Sequence, residues 1–166
     1  MTDGNEWTVR RIGTVASART APLDDDWGRV TATIALDPPY DERSVQGLDR
    51  FSHVEVVFLF DRVPPEGVHQ HARRPRGNPA WPEVGIFAQR AKGRPNRLGS
   101  TIVQVVGREG RCLRVLGLDA VDGTPVLDIK PVMTEFLPRE PVRQPDWSRE
   151  LMRDYWRSEG ERPCPQ

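Results

Sequence analysis

Glycine and proline interrupt this sequence so often that it cannot consist mainly of long helices. They account for 14 and 16 of the 166 residues, well above their average use in proteins. Between these breaks lie short segments in which apolar and polar side chains alternate, most clearly residues 29–37 and 51–60. Such alternation is typical of strands. Six or seven such segments predict a mainly β fold, in which a single sheet closes into a small barrel.

The length predicts one domain with a short helix after the barrel. Trp147, Leu151 and Tyr155 recur every four residues, and Asp146 is a good N-cap, so we expect one helix there. The expected divisions are a flexible N-terminus, the barrel, the helix packed on it and a tail, at residues 1–7, 8–145, 146–159 and 160–166.

One region is strongly basic although the formal charge of the whole chain is zero. The overall balance argues against nucleic-acid binding through net charge alone. Residues 69–98, however, contain seven Lys or Arg residues and one acid, Glu83. They include irregular loops and an expected short strand at residues 84–89. This region predicts a site for phosphate, carboxylate or RNA, although solvated surface arginines would give the same pattern.

Acidic residues cluster in a second segment, residues 116–131. Asp119 and Asp122 bracket a turn, while Asp128 and Lys130 are two residues apart and therefore share one face of a strand. Aspartates often stabilise turns by accepting hydrogen bonds from the local backbone. The density of acids beside one of the two lysines is also compatible with a functional site.

Several common sites are not predicted. Cys112 and Cys164 are far apart, His53 lies within an apolar strand, and His69 and His71 have no ligand partners at suitable spacing. We therefore expect no metal site. The sequence contains no phosphate-binding loop, dinucleotide-binding glycine motif or nucleophile elbow. Without a signal peptide or a membrane-length apolar run, we expect a cytoplasmic protein that does not bind membranes.

Three blocks, in this order, resemble the TsaA-like family, whose characterised member is TrmO. They are FSHVEVVFLF, GIFAQRAKGRPNRLGSTIVQVVG and LGLDAVDGTPVLDIKP, and the resemblance covers about residues 8–136. It implies a methyltransferase that uses S-adenosylmethionine (SAM) on a small β-barrel rather than a Rossmann sheet. It also implies a homodimer that methylates N6 of threonylcarbamoyladenosine beside the tRNA anticodon.

The resemblance also implies site residues. The implied SAM contacts are Asp61, Arg62, Arg90, Ser100, Leu116, Gly117, Leu118 and Asp119. Within this set, Arg90 suits the cofactor carboxylate and Asp119 suits the ribose diol. The expected substrate contacts are Arg73, Arg74, Arg76, Arg94, Asn96 and Lys130. Asp122 and Asp128 are the candidate general bases for removal of the N6 proton.

Departures from the family pattern leave three hypotheses open. An acidic segment at residues 21–30 replaces one that contains proline and glutamine, Asp61 replaces histidine, and Arg97 replaces proline. We also expect this protein to lack the appended C-terminal domain of larger relatives. The basic region favours a tRNA methyltransferase, whereas the departures favour the same barrel acting on a small molecule, such as a natural-product intermediate. The third hypothesis, a non-enzymatic SAM- or RNA-binding module, fits poorly with the intact turn at residues 119–131.

Overall fold

A computed structural model describes residues 5–158. The strands are β1 Gly13–Ser17, β2 Thr31–Leu36, β3 His53–Leu59, β4 Ala72–Arg73, β5 Val84–Gly85, β6 Leu98–Glu109, β7 Cys112–Leu116 and β8 Pro125–Pro131. The α-helix in this part of the chain is α1, Asp146–Leu151. Short 3-10 turns lie at Glu42–Val45, Leu48–Arg50, Pro65–Gly67, Pro75–Gly77, Ile86–Ala88 and Thr134–Phe136. No helix within residues 5–158 has the length and apolar character needed to span a bilayer.

Six strands close into an antiparallel barrel in the order β1-β2-β7-β6-β3-β8, with β8 returning to β1. This confirms the predicted mainly β, closed-barrel fold. β3 lies between β6 and β8, and its register places Val57 opposite Ser100 on one side and Asp128 on the other. The strands from the three blocks of family resemblance are therefore neighbours in the barrel wall.

The barrel interior is filled by the side chains that the alternating pattern assigns to one face. On β3, Val54, Val56 and Phe58 are almost completely buried, while the residues between them are more exposed. Gly99 faces Phe58 across the pair with β6, and a Cβ at Gly99 would overlap the phenyl ring. This glycine is therefore required by core packing in the wall that carries Ser100.

The predicted strand at residues 84–89 is wrong beyond its first two residues. Val84–Gly85 forms β5 and pairs with β4 outside the barrel, and Ile86–Ala88 then forms a 3-10 turn. The side-chain amide of Gln89 explains this change of direction. It donates to the carbonyl oxygens of Arg73 and Val84, at 3.0 and 2.9 Å, and so folds the chain back on itself.

The C-terminal helix is shorter than the helical spacing predicts, because α1 ends at Leu151 and turns follow. The amides of Asp26 and Trp27 bond to the carbonyl oxygens of Asp154 and Tyr155, at 3.1 and 2.8 Å. Tertiary pairing with the 26–28 loop thus replaces further helical turns. The expected tail at residues 160–166 and the first four residues of the expected N-terminus lie outside the described residues.

Candidate functional site

Ser100 lies on the outer face of the barrel, between two charged groups. Its hydroxyl donates to the Glu55 carboxylate on β3, and its carbonyl oxygen accepts from the Arg90 guanidinium. The β3–β8 register places Lys130 opposite Glu55. Two residues that the resemblance implies in SAM binding, Arg90 and Ser100, are therefore connected to the β8 residues that we expected near the substrate.

Asp128 and Lys130 form an ion pair on this same outer face. The Lys130 ammonium donates to Asp128 Oδ2, and this hydrogen bond raises the pKa of Lys130. Asp128 Oδ1 accepts from the Ile129 amide at 2.9 Å. About half of each side chain of the pair is exposed, so both groups can be reached from solvent.

Asp119, in the loop between β7 and β8, is held by two hydroxyl groups. Thr101 donates to Asp119 Oδ1 and Tyr155 donates to Asp119 Oδ2. Thr101 is only 7% exposed, and burial together with the Asp119 charge raises the pKa of Tyr155. The phenol therefore stays protonated at neutral pH and can act as a donor, so the carboxylate has a fixed orientation.

Arg90 also lines a cavity of about 470 Å³ between the β5 segment and the C-terminal segment. Val84, Ala88, Trp147 and Met152 contribute much of the remaining lining. A guanidinium at the edge of a mainly apolar cavity is suited to a ligand that combines a carboxylate with an apolar or heteroaromatic body. The expected role of Arg90 in binding the SAM carboxylate stays a prediction.

Asp122 and Arg62 hold the turn between β7 and β8 against the β1 end. Asp122 Oδ1 accepts from the Ser17 amide at 3.0 Å. The Arg62 guanidinium donates to the carbonyl oxygens of Thr20 and Asp122, at 2.9 and 2.6 Å. These contacts give both residues a structural role. Asp61, beside Arg62, is exposed.

Residues 116–118 contact their surroundings mainly through backbone atoms. Leu118 is completely buried in the core, so its side chain faces away from any ligand. Gly117 adopts a φ of +86°, a conformation that favours glycine, and its amide bonds to the Val30 carbonyl at 2.9 Å. Leu116 is half-buried at the end of β7.

The basic region is partly neutralised by acids that lie far away in sequence. Arg76 donates to both carboxylate oxygens of Asp25, at 3.1 and 2.8 Å, and its Nε is 3.8 Å from Asp24. Lys92 Nζ is 3.7 Å from Asp24. Two of the seven cations of the basic region, Arg76 and Lys92, are therefore paired with carboxylates, and the expected anion site stays a prediction. The acidic departure at residues 21–30 was the sequence signal that could have revealed this pairing.

Other arginines of this region support its loops. Arg74 donates to the carbonyl oxygens of Pro79 and Trp81, Arg94 to that of Gln89 at 3.2 Å, and Arg97 to that of Val63 at 2.8 Å. Arg73 is partly buried, and Asn96 is exposed. The expected substrate residues come from different elements, since Lys130 lies on β8 and Arg74 lies in the loop after β4.

Two residues with direct contacts to the expected site escaped the sequence analysis. Glu55 lies on the outer face of β3. The sequence shows that Glu55 and His53 share a face, because they are two residues apart, but it does not show that Ser100 on β6 lies beside Glu55. Tyr155 was assigned to the apolar face of a helix. In residues 5–158, no group of three or more His, Cys, Asp or Glu side chains is arranged to hold a metal ion.

Comparison with known proteins gives consistent matches. A tRNA (adenine(37)-N6)-methyltransferase of Escherichia coli is 38% identical over 102 residues, covering 57% of this chain and 42% of that protein. The human protein of the same name is 36% identical over 104 residues, covering 63% of this chain and 23% of its own length. The chain therefore spans less than half the length of these two curated relatives.

A solved structure agrees over nearly the whole chain. The crystal structure of TrmO from Pseudomonas aeruginosa has a TM-score of 0.69 and 27% sequence identity, covering 98% of this chain and 67% of that one. Residues 16–136 match the family described as the tRNA-methyltransferase O N-terminal domain. That match includes all three blocks of motif residues and every strand of the barrel except the start of β1. The chain therefore belongs to the tRNA-methyltransferase O N-terminal domain family.

Proposed function

We propose that this chain is a SAM-dependent methyltransferase that methylates N6 of threonylcarbamoyladenosine beside the tRNA anticodon. The observation that carries the proposal is the position of Ser100, which contacts both Arg90 and Glu55. Through these contacts the expected cofactor residues adjoin the exposed Asp128–Lys130 pair. Relatives named tRNA (adenine(37)-N6)-methyltransferase support the choice of substrate.

The side chains near Arg90 fit the chemistry of SAM. SAM supplies an electrophilic methyl group on a positively charged sulfur. Arg90 offers a cation for its carboxylate, Asp119 offers oriented acceptors for its ribose diol, and the cavity beside Arg90 offers apolar surface. We assign the remaining contacts with SAM to Asp61, Arg62 and the backbone of residues 116–118.

Of the two candidate general bases, Asp128 is the better supported by its surroundings. The N6 nitrogen is a poor nucleophile, so removal of its proton must be assisted. Asp128 is exposed beside Lys130, whereas Asp122 already accepts from the Ser17 amide within a turn. Lys130, which bonds to Asp128, provides a cation for the carboxylate of the threonyl group.

We assign binding of the tRNA backbone to the loops around β4. Arg73, Arg74 and Arg76, with Arg94 and Asn96, supply donors for phosphate groups. Because Arg76 is paired with Asp25, tRNA phosphate must replace a carboxylate there. Binding at this position is therefore weaker than the number of cations alone would predict.

We further propose a homodimer that works in the cytoplasm. Ile102 and Val106 are 50% and 46% exposed on β6, and apolar side chains in a barrel wall favour association with a second copy. Light scattering should give the mass of a dimer at micromolar concentration, and Ile102→Lys should lower it. A monomeric wild type with full activity would exclude this assembly.

Mass spectrometry of modified nucleosides tests the activity directly. The purified chain, SAM and tRNA that carries threonylcarbamoyladenosine should yield the N6-methylated nucleoside, and tRNA without that modification should yield none. Asp128→Asn should reduce turnover while SAM binding persists. If wild-type protein binds SAM but leaves this tRNA unmodified, the substrate assignment is wrong.

A small-molecule substrate is the second candidate, and the ion pairs of Asp25 with Arg76 and of Asp24 with Lys92 favour it. They neutralise cations that tRNA phosphate would otherwise contact. This candidate predicts that SAM binds, that tRNA does not compete for the site, and that Arg73→Ala/Arg74→Ala/Arg76→Ala leaves activity largely intact.

A further inference from the structure

The segment after α1 is fitted closely to the loop that precedes β2. The Trp27 amide bonds to the Tyr155 carbonyl at 2.8 Å, and the Gly28 amide bonds to the Arg157 carbonyl at 3.2 Å. A Cβ at Gly28 would overlap the carbonyl oxygen of Trp156. The Tyr155 and Trp156 rings pack edge to face, with centroids 4.8 Å apart. These contacts hold residues 152–157 in one place.

The close packing of this segment places the Tyr155 hydroxyl beside the Asp119 carboxylate. The phenol donates to Oδ2, while Thr101 of β6 donates to Oδ1. Asp119 lies within the family match at residues 16–136, but Tyr155 lies beyond it. One partner of the carboxylate therefore comes from the common barrel, and the other comes from a part of the chain that the family description does not cover.

We propose that Tyr155 is a positioning residue that completes the cofactor site by orienting Asp119 toward the ribose of SAM. This inference rests on the proposed function. It gives residues 152–157 a direct part in cofactor binding, in addition to their packing against the 26–28 loop.

The hydrogen-bond capacity of a carboxylate makes this role possible. An ionised carboxylate has about four acceptor positions on its two oxygens, and the two hydroxyls use one on each oxygen. The remaining positions can accept from two ribose hydroxyls. Because both protein donors are neutral, they fix the rotation of the carboxylate without neutralising its charge, which a guanidinium partner would do.

Titration calorimetry with SAM and with S-adenosylhomocysteine tests the inference on the full chain. Tyr155→Phe should weaken binding of both compounds about tenfold, because a hydrogen bond that orients a charged acceptor is lost. Tyr40→Phe is the matched control, since Tyr40 is 39% exposed and lies in the turn after β2. It should leave both affinities unchanged. Thermal unfolding should show that each variant is folded at the temperature of the titration.

A double-mutant cycle separates positioning from general structural support. In an Asp119→Asn background, Tyr155→Phe should cause little further loss of SAM affinity, because the group it acts through has already been changed. With saturating SAM, Tyr155→Phe should keep its kcat and its KM for tRNA within about twofold of wild type.

Two results would overturn the inference. If wild-type protein binds SAM and Tyr155→Phe binds it equally or more tightly, Tyr155 does not help to form the site, and the proposed function stands. Fully additive losses in the cycle would likewise exclude action through Asp119. If wild-type protein does not bind SAM at all, the proposed function fails, and this inference fails with it.

Discussion

Arg76 and Asp25 are joined by two hydrogen bonds across 51 positions of sequence, Nη1 to Oδ2 at 3.1 Å and Nη2 to Oδ1 at 2.8 Å. The pair connects the acidic segment before β2 with the basic loop after β4. Paired donors of this kind match the geometry of a carboxylate and equally that of a phosphate. If tRNA is the substrate, as proposed, the acidic segment competes with its phosphate groups for Arg76.

Asp25→Asn should strengthen tRNA binding, because it removes that competing charge. The slope of log affinity against log salt should steepen by about one, since one more phosphate contact releases one more counterion. A filter-binding salt series measures both quantities. Asp49→Asn, which removes the partner of Arg108 elsewhere on the barrel, is the control and should change neither. Weaker tRNA binding by Asp25→Asn would contradict the competition.

Arg90→Ala should weaken SAM binding by about 1.5–3 kcal/mol, the usual range for a hydrogen bond to a charged group. The cause is loss of the guanidinium beside the cavity. Calorimetry with Arg111→Ala, an exposed arginine in the turn before β7, provides the comparison. Equal SAM affinity in the two variants would remove Arg90 from the cofactor site.

Gly28→Ala should destabilise the protein by roughly 1–3 kcal/mol, the range for a side chain forced into occupied space. The added methyl group would displace the Trp156 carbonyl and separate the C-terminal segment from the loop. Urea unfolding gives the free energy of unfolding. Gly85→Ala is the control, because nothing lies within 4 Å of the added Cβ. Similar stabilities for the two variants would show that the segment is not held by this contact.

The raised pKa of Tyr155 should make stability fall at alkaline pH. Burial, and then the charge of Asp119, hold the folded-state pKa above the ordinary value of 10.0. The unfolded phenol therefore loses its proton first, so this contribution is complete below pH 10.0 and decreases as the pH rises above it. Urea unfolding from about pH 8 to about pH 11 should show a shallower decline for Tyr155→Phe than for wild type. Parallel declines would exclude this linkage.

Local alternation in residues 29–37 and 51–60 was sufficient to predict β2 and β3 and to sort the side chains of each onto two faces. Residues two apart share a face of a strand, so Val54, Val56 and Phe58 could be assigned to the core before any partner strand was known. The 84–89 strand failed for a nonlocal reason, since the Gln89 amide bonds to Arg73 and Val84. The family motifs indicated Arg90, Ser100 and Asp119, but not what surrounds them.

By itself, the sequence determined the closed β fold, the family and the motif residues, because periodicity and motif spacing are properties of neighbouring residues. Only the tertiary structure decided which distant side chains form ion pairs and hydrogen bonds. Asp25 reaches Arg76, Ser100 reaches Glu55, and Tyr155 reaches Asp119. Each pair is separated by tens of residues, and a contact of that kind depends on strand register and loop path, which no local pattern encodes.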